Sequence, residues 1–241
     1  MSSSPVLFEV QDHIGLITLN RAESRNNMTE EMLNAFTAAA ARAKADHSIR
    51  ALVITGTGAN FCGGADLTKP IQMQGHALPN EASFAMYKPF LSLLQIEVPI
   101  IGAMQGHAIG GGLGLALVCD LRVANQQAKY GANFVKLGLH PGMATTYLLP
   151  RLVGVTKANE LLLTGRLING AEALQIGLVN EAVEQSAVLP RALALAEEIA
   201  QAAPIAVRWT KRSIYRFLQW EPEDAAEYEA HLQSRTLESA D

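Results

Sequence analysis

The chain has 241 residues, 49% apolar and 17% charged, with a formal net charge of −4. That length accommodates one large or two small domains with a core of their own, and the composition excludes intrinsic disorder. The acidic balance gives no general field for nucleic acid or an anionic membrane, and the apolar runs near residues 98–104 and 113–119 are too short to span a bilayer.

The opening "MSSSPVLFEV" has neither a basic nor an apolar leader region, so no signal peptide is expected. Residues 6–10 and Ile14–Leu19 are β-rich runs separated by "QDHIG", which predicts a hairpin. A helix follows with Thr29 as N-cap, Glu30 and Glu31 at its positive end, and an apolar stripe of Met32, Ala35, Phe36, Ala39 and Ala43. "ALVITG" (Ala51–Gly56), "PIIGAM" (99–104) and "LRVA" (121–124) are apolar runs of strand length, as expected for strands covered on both faces. From about Gly138 the pattern turns helical. "TYLLPRLVG" and "KANELLLTG" come first, then "NGAEALQIG", where Asn169 and Glu172 have capping-box spacing and Gly177 ends the helix. Three more helices are expected over 190–203, 204–219 and 222–237. The predicted architecture is an α/β core over residues 1–190 with a helical C-terminal region over 191–241.

Two glycine-rich turns stand out, "GTGANFCGGADL" and "HAIGGGLGLALVCD". Neither contains a P-loop or a dinucleotide fingerprint, and the chain has no GxSxG nucleophile elbow. His13, His47, His76, His107, His140 and His231 show no metal-ligand spacing with each other or with Cys62 and Cys119, so no metal is expected. Two cysteines without a CxxC fit a reducing cytoplasm. Two physical readings of the turns stay open. The glycines permit tight strand-to-helix packing, or they expose backbone N–H groups that converge on one oxygen, each donor worth about 2.7–4 kcal/mol.

"NRAESRNNM", "GTGANFCGGADL", "GHAIGGGLGLALVCDLRVA", "LGLHPGMATTYLLPRLVG", "LLLTGRLINGAEALQIGLVNEAV" and "APIAVRWTKR" follow the order of motifs in the crotonase, or enoyl-CoA hydratase/isomerase, superfamily. The chain resembles that family from about Val6 to Arg212. The resemblance implies a crotonase-like ββα spiral whose C-terminal helices join subunits into a homotrimer or a dimer of trimers. It implies an acyl-CoA substrate, with coenzyme A arriving as part of it and no prosthetic group. The backbone N–H groups of Ala65 and Gly111 match the family's oxyanion hole, with Gly64 and Gly110 keeping the turns slim. Ser24, Arg25, Asn26, Gly63, Asp66 and Leu67 match the lining of the adenine and pantetheine channel.

The pattern departs from the hydratases at their two glutamates, whose positions match Gly114 and Phe134 here. A third position, an aspartate in some relatives, matches Gly142. Positioned acids and bases contribute about 10²–10⁴-fold each, so ordinary hydration is expected to be slow or absent. A non-catalytic acyl-CoA or acyl-carrier binding protein is the alternative. His140, beside Gly142, is the candidate replacement, since histidine titrates in the useful range, although a structural histidine at a proline turn is the commoner case. His107, His76, Glu81, Tyr130 and Asn133 are weaker candidates, and Cys62 reads as a buried hydrophobe. Arg208, Lys211, Arg212 and Arg216 form a row that faces either CoA phosphates or solvent.

Overall fold

The computed structural model describes residues 4–65, 79–218 and 221–237. The hairpin forms as expected: β1 (Val6–Gln11) pairs antiparallel with β2 (Ile14–Leu19). In α1 (Glu30–Ala45) the Thr29 side chain accepts from the Met32 amide, and Leu33 and Ala40 join the buried face. Then come β3 (Ala51–Gly56), β4 (Asn60–Cys62), α2 (Pro79–Leu91), β5 (Ile100–Met104), β6 (His107–Ile109), α3 (Gly111–Leu117), β7 (Leu121–Asn125) and β8 (Lys129–Gly131). The chain ends with α4 (Thr145–Thr164), β9 (Ile168–Asn169), α5 (Gly170–Gln175), β10 (Glu181–Val183), α6 (Gln185–Gln201), α7 (Pro204–Phe217) and α8 (Pro222–Leu237). Non-helical Gly154 (φ 76°, ψ 156°) interrupts α4, which is why its two halves read as separate helices.

A six-stranded sheet has the order β1-β2-β3-β5-β7-β10, parallel except for the hairpin. A four-stranded sheet has the order β4-β6-β8-β9. Each turn of the chain gives one strand to the first sheet and the next to the second (β3 then β4, β5 then β6, β7 then β8), which makes a ββα spiral.

The apolar strand runs are explained by cover on both faces of the large sheet. Leu52, Ile54, Ile100 and Met104 join the main core, shared with Phe36, Phe90 and Leu148. Ala51, Val53, Ile101 and Ala103 face the other way, against Val188, Ala192, Ala196 and Ala200 of α6. Alanine at every fourth position lets that helix lie close to the strands. Position 190, where the sequence expectation divides core from C-terminal region, lies within this sheet-packed helix. No helix among the described residues is long and apolar enough to cross a membrane.

Candidate active site

Strands β4 and β6 pair in parallel, with Asn60 opposite His107 and Cys62 opposite Ala108. The chain therefore leaves both at the same edge, and the two glycine turns lie side by side. Gly64 (φ 82°) and Gly110 (φ 56°) take left-handed conformations that favour glycine. A Cβ on Gly64 would stand 2.7 Å from the Ile109 carbonyl oxygen and 3.2 Å from the Gly111 nitrogen, so the turns touch. Packing decides Gly112 instead, where a Cβ would fall 1.9 Å from the Cys62 carbonyl oxygen. Both physical readings of the sequence thus hold, for different glycines. Gly111 opens α3, so its N–H has no acceptor within the helix. Gly63, Gly64, Ala65, Gly110 and Gly111 line one cavity of about 100 Å³.

The rest of that lining is mostly apolar and includes Met28, Met86, Phe134 and Leu139. Side chains of the protein occupy the space at all three positions where the family resemblance expects acids. A Cβ on Gly114 would meet the Met143 Cβ at 2.4 Å, and Gly114 is not among the lining residues. Phe134 lines the cavity, its ring 3.7 Å from where a Cβ on Gly110 would sit. Over Gly142 lies the Tyr87 hydroxyl, 2.2 Å from the Cβ position, with Gln233 Nε2 at 3.2 Å.

The polar lining comes from Tyr87, Asn133 and Gln233. Tyr87 on α2 hydrogen-bonds Gln233 on α8, whose Nε2 donates to the His140 carbonyl at 2.8 Å. His140 itself does not line the cavity. Its amide donates to Thr236 Oγ1 at 3.0 Å, and its Nδ1 donates to the Pro141 carbonyl at 2.7 Å. Burial holds its pKa below the usual histidine value, against the pull of that carbonyl. Behind the network is Glu229 of α8, fully buried, accepting from the Thr146 amide at 2.7 Å and from the Thr146 hydroxyl. Burial pushes its pKa up to about 7. The sequence motifs pointed to none of Tyr87, Gln233 and Glu229, which lie on helices without a local signature.

The other described residues singled out in the sequence lie outside this cavity lining. The Asn26 side chain is buried and committed to the backbone: Nδ2 donates to Thr57, Asn60 and Phe61 carbonyls, and Oδ1 accepts from the Arg21 amide. It holds the loop against β4 and leaves no atom for a ligand. The Arg25 carbonyl accepts from the Gly63 amide at 2.9 Å, and half-buried Ser24 bonds the Arg21 carbonyl. His107 Nδ1 accepts from the Lys129 amide at 2.8 Å, bracing β6 on β8. Tyr130 donates to backbone carbonyls in the core. Cys62 is buried, and burial pushes its thiol up to about 12. Glu81 is exposed in the first turn of α2. The basic row on α7 divides: Lys211 pairs with Asp120 at 2.7 Å and Arg208 reaches the Ile49 carbonyl, so these two face the body of the protein. Asp66, Leu67 and His76 lie outside the described residues. Among the described residues no group of three or more His, Cys, Asp or Glu is arranged to hold a metal.

The sequence profile of the family described as Enoyl-CoA hydratase/isomerase matches residues 9–241. (E)-Benzylidenesuccinyl-CoA hydratase of Thauera aromatica is 41% identical over 214 residues, covering 87% of this chain and 81% of that protein. Short-chain-enoyl-CoA hydratase of Clostridium acetobutylicum is 33% identical over 231 residues, covering 95% and 88%. The crystal structure of an enoyl-CoA hydratase/isomerase from Pseudoalteromonas atlantica T6c superposes with a TM-score of 0.87 at 32% identity, covering 98% of this chain and 92% of that one. The spiral of paired strands and the two abutting glycine turns agree with these similarities, and the chain belongs to the enoyl-CoA hydratase/isomerase, or crotonase, family.

Proposed function

We propose that the protein binds an acyl-CoA thioester and stabilises negative charge on its carbonyl oxygen with the N–H groups of Ala65 and Gly111. The observation that supports this reading is the contact between the turns at Gly64 and Gly111, with Ala65 and Gly111 both in the lining of one mostly apolar cavity. Two backbone donors fixed before the reaction need no reorganisation as charge develops on the oxygen. Coenzyme A enters with the substrate past Ser24, Arg25 and Gly63, described residues that match the family's adenine and pantetheine channel. The chemistry that fits is enolate-type (isomerisation, decarboxylation or C–C cleavage) or thioester hydrolysis. Addition of water is disfavoured, because no carboxylate stands at positions 114, 134 or 142.

The same filling of those positions by Met143, Phe134 and Tyr87 favours a second reading, an acyl-CoA or acyl-carrier binding protein that does no chemistry. The family resemblance implies a homotrimer or a dimer of trimers, and the exposed apolar side chains of α7 offer surface for such assembly. No partnership with nucleic acid or membrane is proposed.

A panel of acyl-CoAs, with binding by calorimetry and products by mass spectrometry, separates the two readings. Gly111→Pro removes one donor at a position where proline is tolerated in a helix. Turnover should fall about 10²–10³-fold in this variant. Gly111→Ala keeps the N–H, crowds only the flexible Met28 side chain, and should fall much less. Equal turnover in the wild type and Gly111→Pro sinks the oxyanion assignment. Micromolar binding with no product from any thioester selects the non-catalytic reading.

A further inference from the structure

The cavity is apolar except where three side chains enter it, and two of these come from the meeting of α2 and α8. Tyr87 and Gln233 are both buried, both line the cavity, and bond each other. The third, Asn133, lies beside the second glycine turn, its Oδ1 3.9 Å from the Cβ position of Gly110. The direction of the Tyr87–Gln233 bond follows from its neighbour. Gln233 Nε2 donates to the His140 carbonyl, which can only accept, so Oε1 faces Tyr87 and the phenol proton points at it. A lone pair on the Tyr87 oxygen is what remains for the cavity. Burial, reinforced by the charge of Glu229, pushes the Tyr87 phenol up, so it stays protonated. Gly142 leaves the room this arrangement needs, since any Cβ there would strike the hydroxyl.

We propose that the Tyr87 oxygen, oriented by Gln233, accepts a hydrogen bond from a hydroxyl group on the acyl chain of the bound thioester. The inference rests on the acyl-CoA reading above. Apolar pockets take their specificity from a few well-placed polar atoms, and a site built to hydrogen-bond a group discriminates against ligands that lack it. The cavity is small, at about 100 Å³, so the hydroxyl lies within a few atoms of the thioester, on carbon 2 or 3 of the chain.

Calorimetric titration with butyryl-CoA, its 2- and 3-hydroxy derivatives and acetoacetyl-CoA tests this. At least one hydroxy ester should bind about fivefold tighter than butyryl-CoA, the worth of one neutral hydrogen bond. Acetoacetyl-CoA should show no such gain, because a keto oxygen cannot donate. In Tyr87→Phe the ratio of hydroxy ester to butyryl-CoA should fall to about one. Gln233→Met releases the Tyr87 proton and should move the preference from the hydroxy to the keto ester, a reversal that lost packing does not produce. That second variant decides the matter if Tyr87→Phe does not fold. Equal affinity for butyryl-CoA and both hydroxy esters, or a hydroxy preference that survives Tyr87→Phe, overturns the proposal and leaves the acyl-CoA reading standing. Failure of every CoA ester to bind overturns that reading, and this one with it.

Discussion

Glu229 is a carboxylate sealed from water in the middle of the packing between α8 and the start of α4. One oxygen takes the Thr146 amide and hydroxyl; the other, Oε2, has no hydrogen-bond partner among the described residues. Desolvation outweighs the Thr146 bonds and the weaker pull of the Ala144 and Thr145 amides, which is why the pKa is raised to about 7. Below about pH 4.5 the folded and unfolded chains both hold the proton, and the group does not affect stability. As pH rises the unfolded chain ionises first, so stability is lost progressively until the folded group also ionises near pH 7. The full cost above that pH is about 3 kcal/mol. Glu229→Gln removes this titration. The stability of the wild type relative to the variant, measured by urea unfolding, should fall by about 2–3 kcal/mol between pH 5 and pH 8. A difference that stays flat over that range would place the charge elsewhere.

At the scale of elements, Asp120 fastens α7 to the sheet. Its Oδ2 accepts from the Ile100 amide and from Lys211 Nζ, both at 2.7 Å, and Oδ1 accepts from the Tyr215 hydroxyl. Lys211 also donates to the Val98 carbonyl at 2.9 Å. Both side chains of the ion pair are largely buried, so Asp120→Ala leaves an unpaired ammonium and should cost about 3 kcal/mol. Amide exchange in α7 should rise first, because the helix has no fully buried residue of its own to hold it. Unchanged exchange there would mean that other contacts dock the helix. The sequence carries little of this arrangement, since Asp120 and Lys211 are 91 positions apart. What was legible is local. The Thr29 and Asn169 caps are satisfied within three residues, and the apolar runs of β3, β5 and β7 report cover on both faces. Strands β4, β6 and β8 are three residues each, too short for periodicity, and exist only through pairing with one another. The abutment of the glycine turns depends on that pairing. Tyr87 and Gln233 meet across 146 positions, so no local pattern marks them.

On the whole molecule, the outer face of α7 gathers several of the most exposed large apolar side chains. Ile205 is 64% exposed, Trp209 66%, Ile214 53% and Phe217 82%, spread over the half of the helix turned away from Arg208 and Lys211. Single exposed hydrophobics are ordinary, but four large ones on one helix mark it as a candidate association surface. With a net charge of only −4, repulsion between copies is weak. The family resemblance sets the expected number of copies, so light scattering coupled to size exclusion should give three or six times the mass of one chain. Placing arginine at both Trp209 and Phe217 buries two like charges per copy at the contact and should release single chains, still folded by circular dichroism, because neither side chain contributes to the core. In a Trp220→Phe background Trp209 is the sole tryptophan and gives an independent readout: its emission should shift to longer wavelength on dilution as the indole passes from the contact into water. A wild-type chain that elutes at the mass of one copy at micromolar concentration, with emission insensitive to dilution, would mean that α7 serves some other partner.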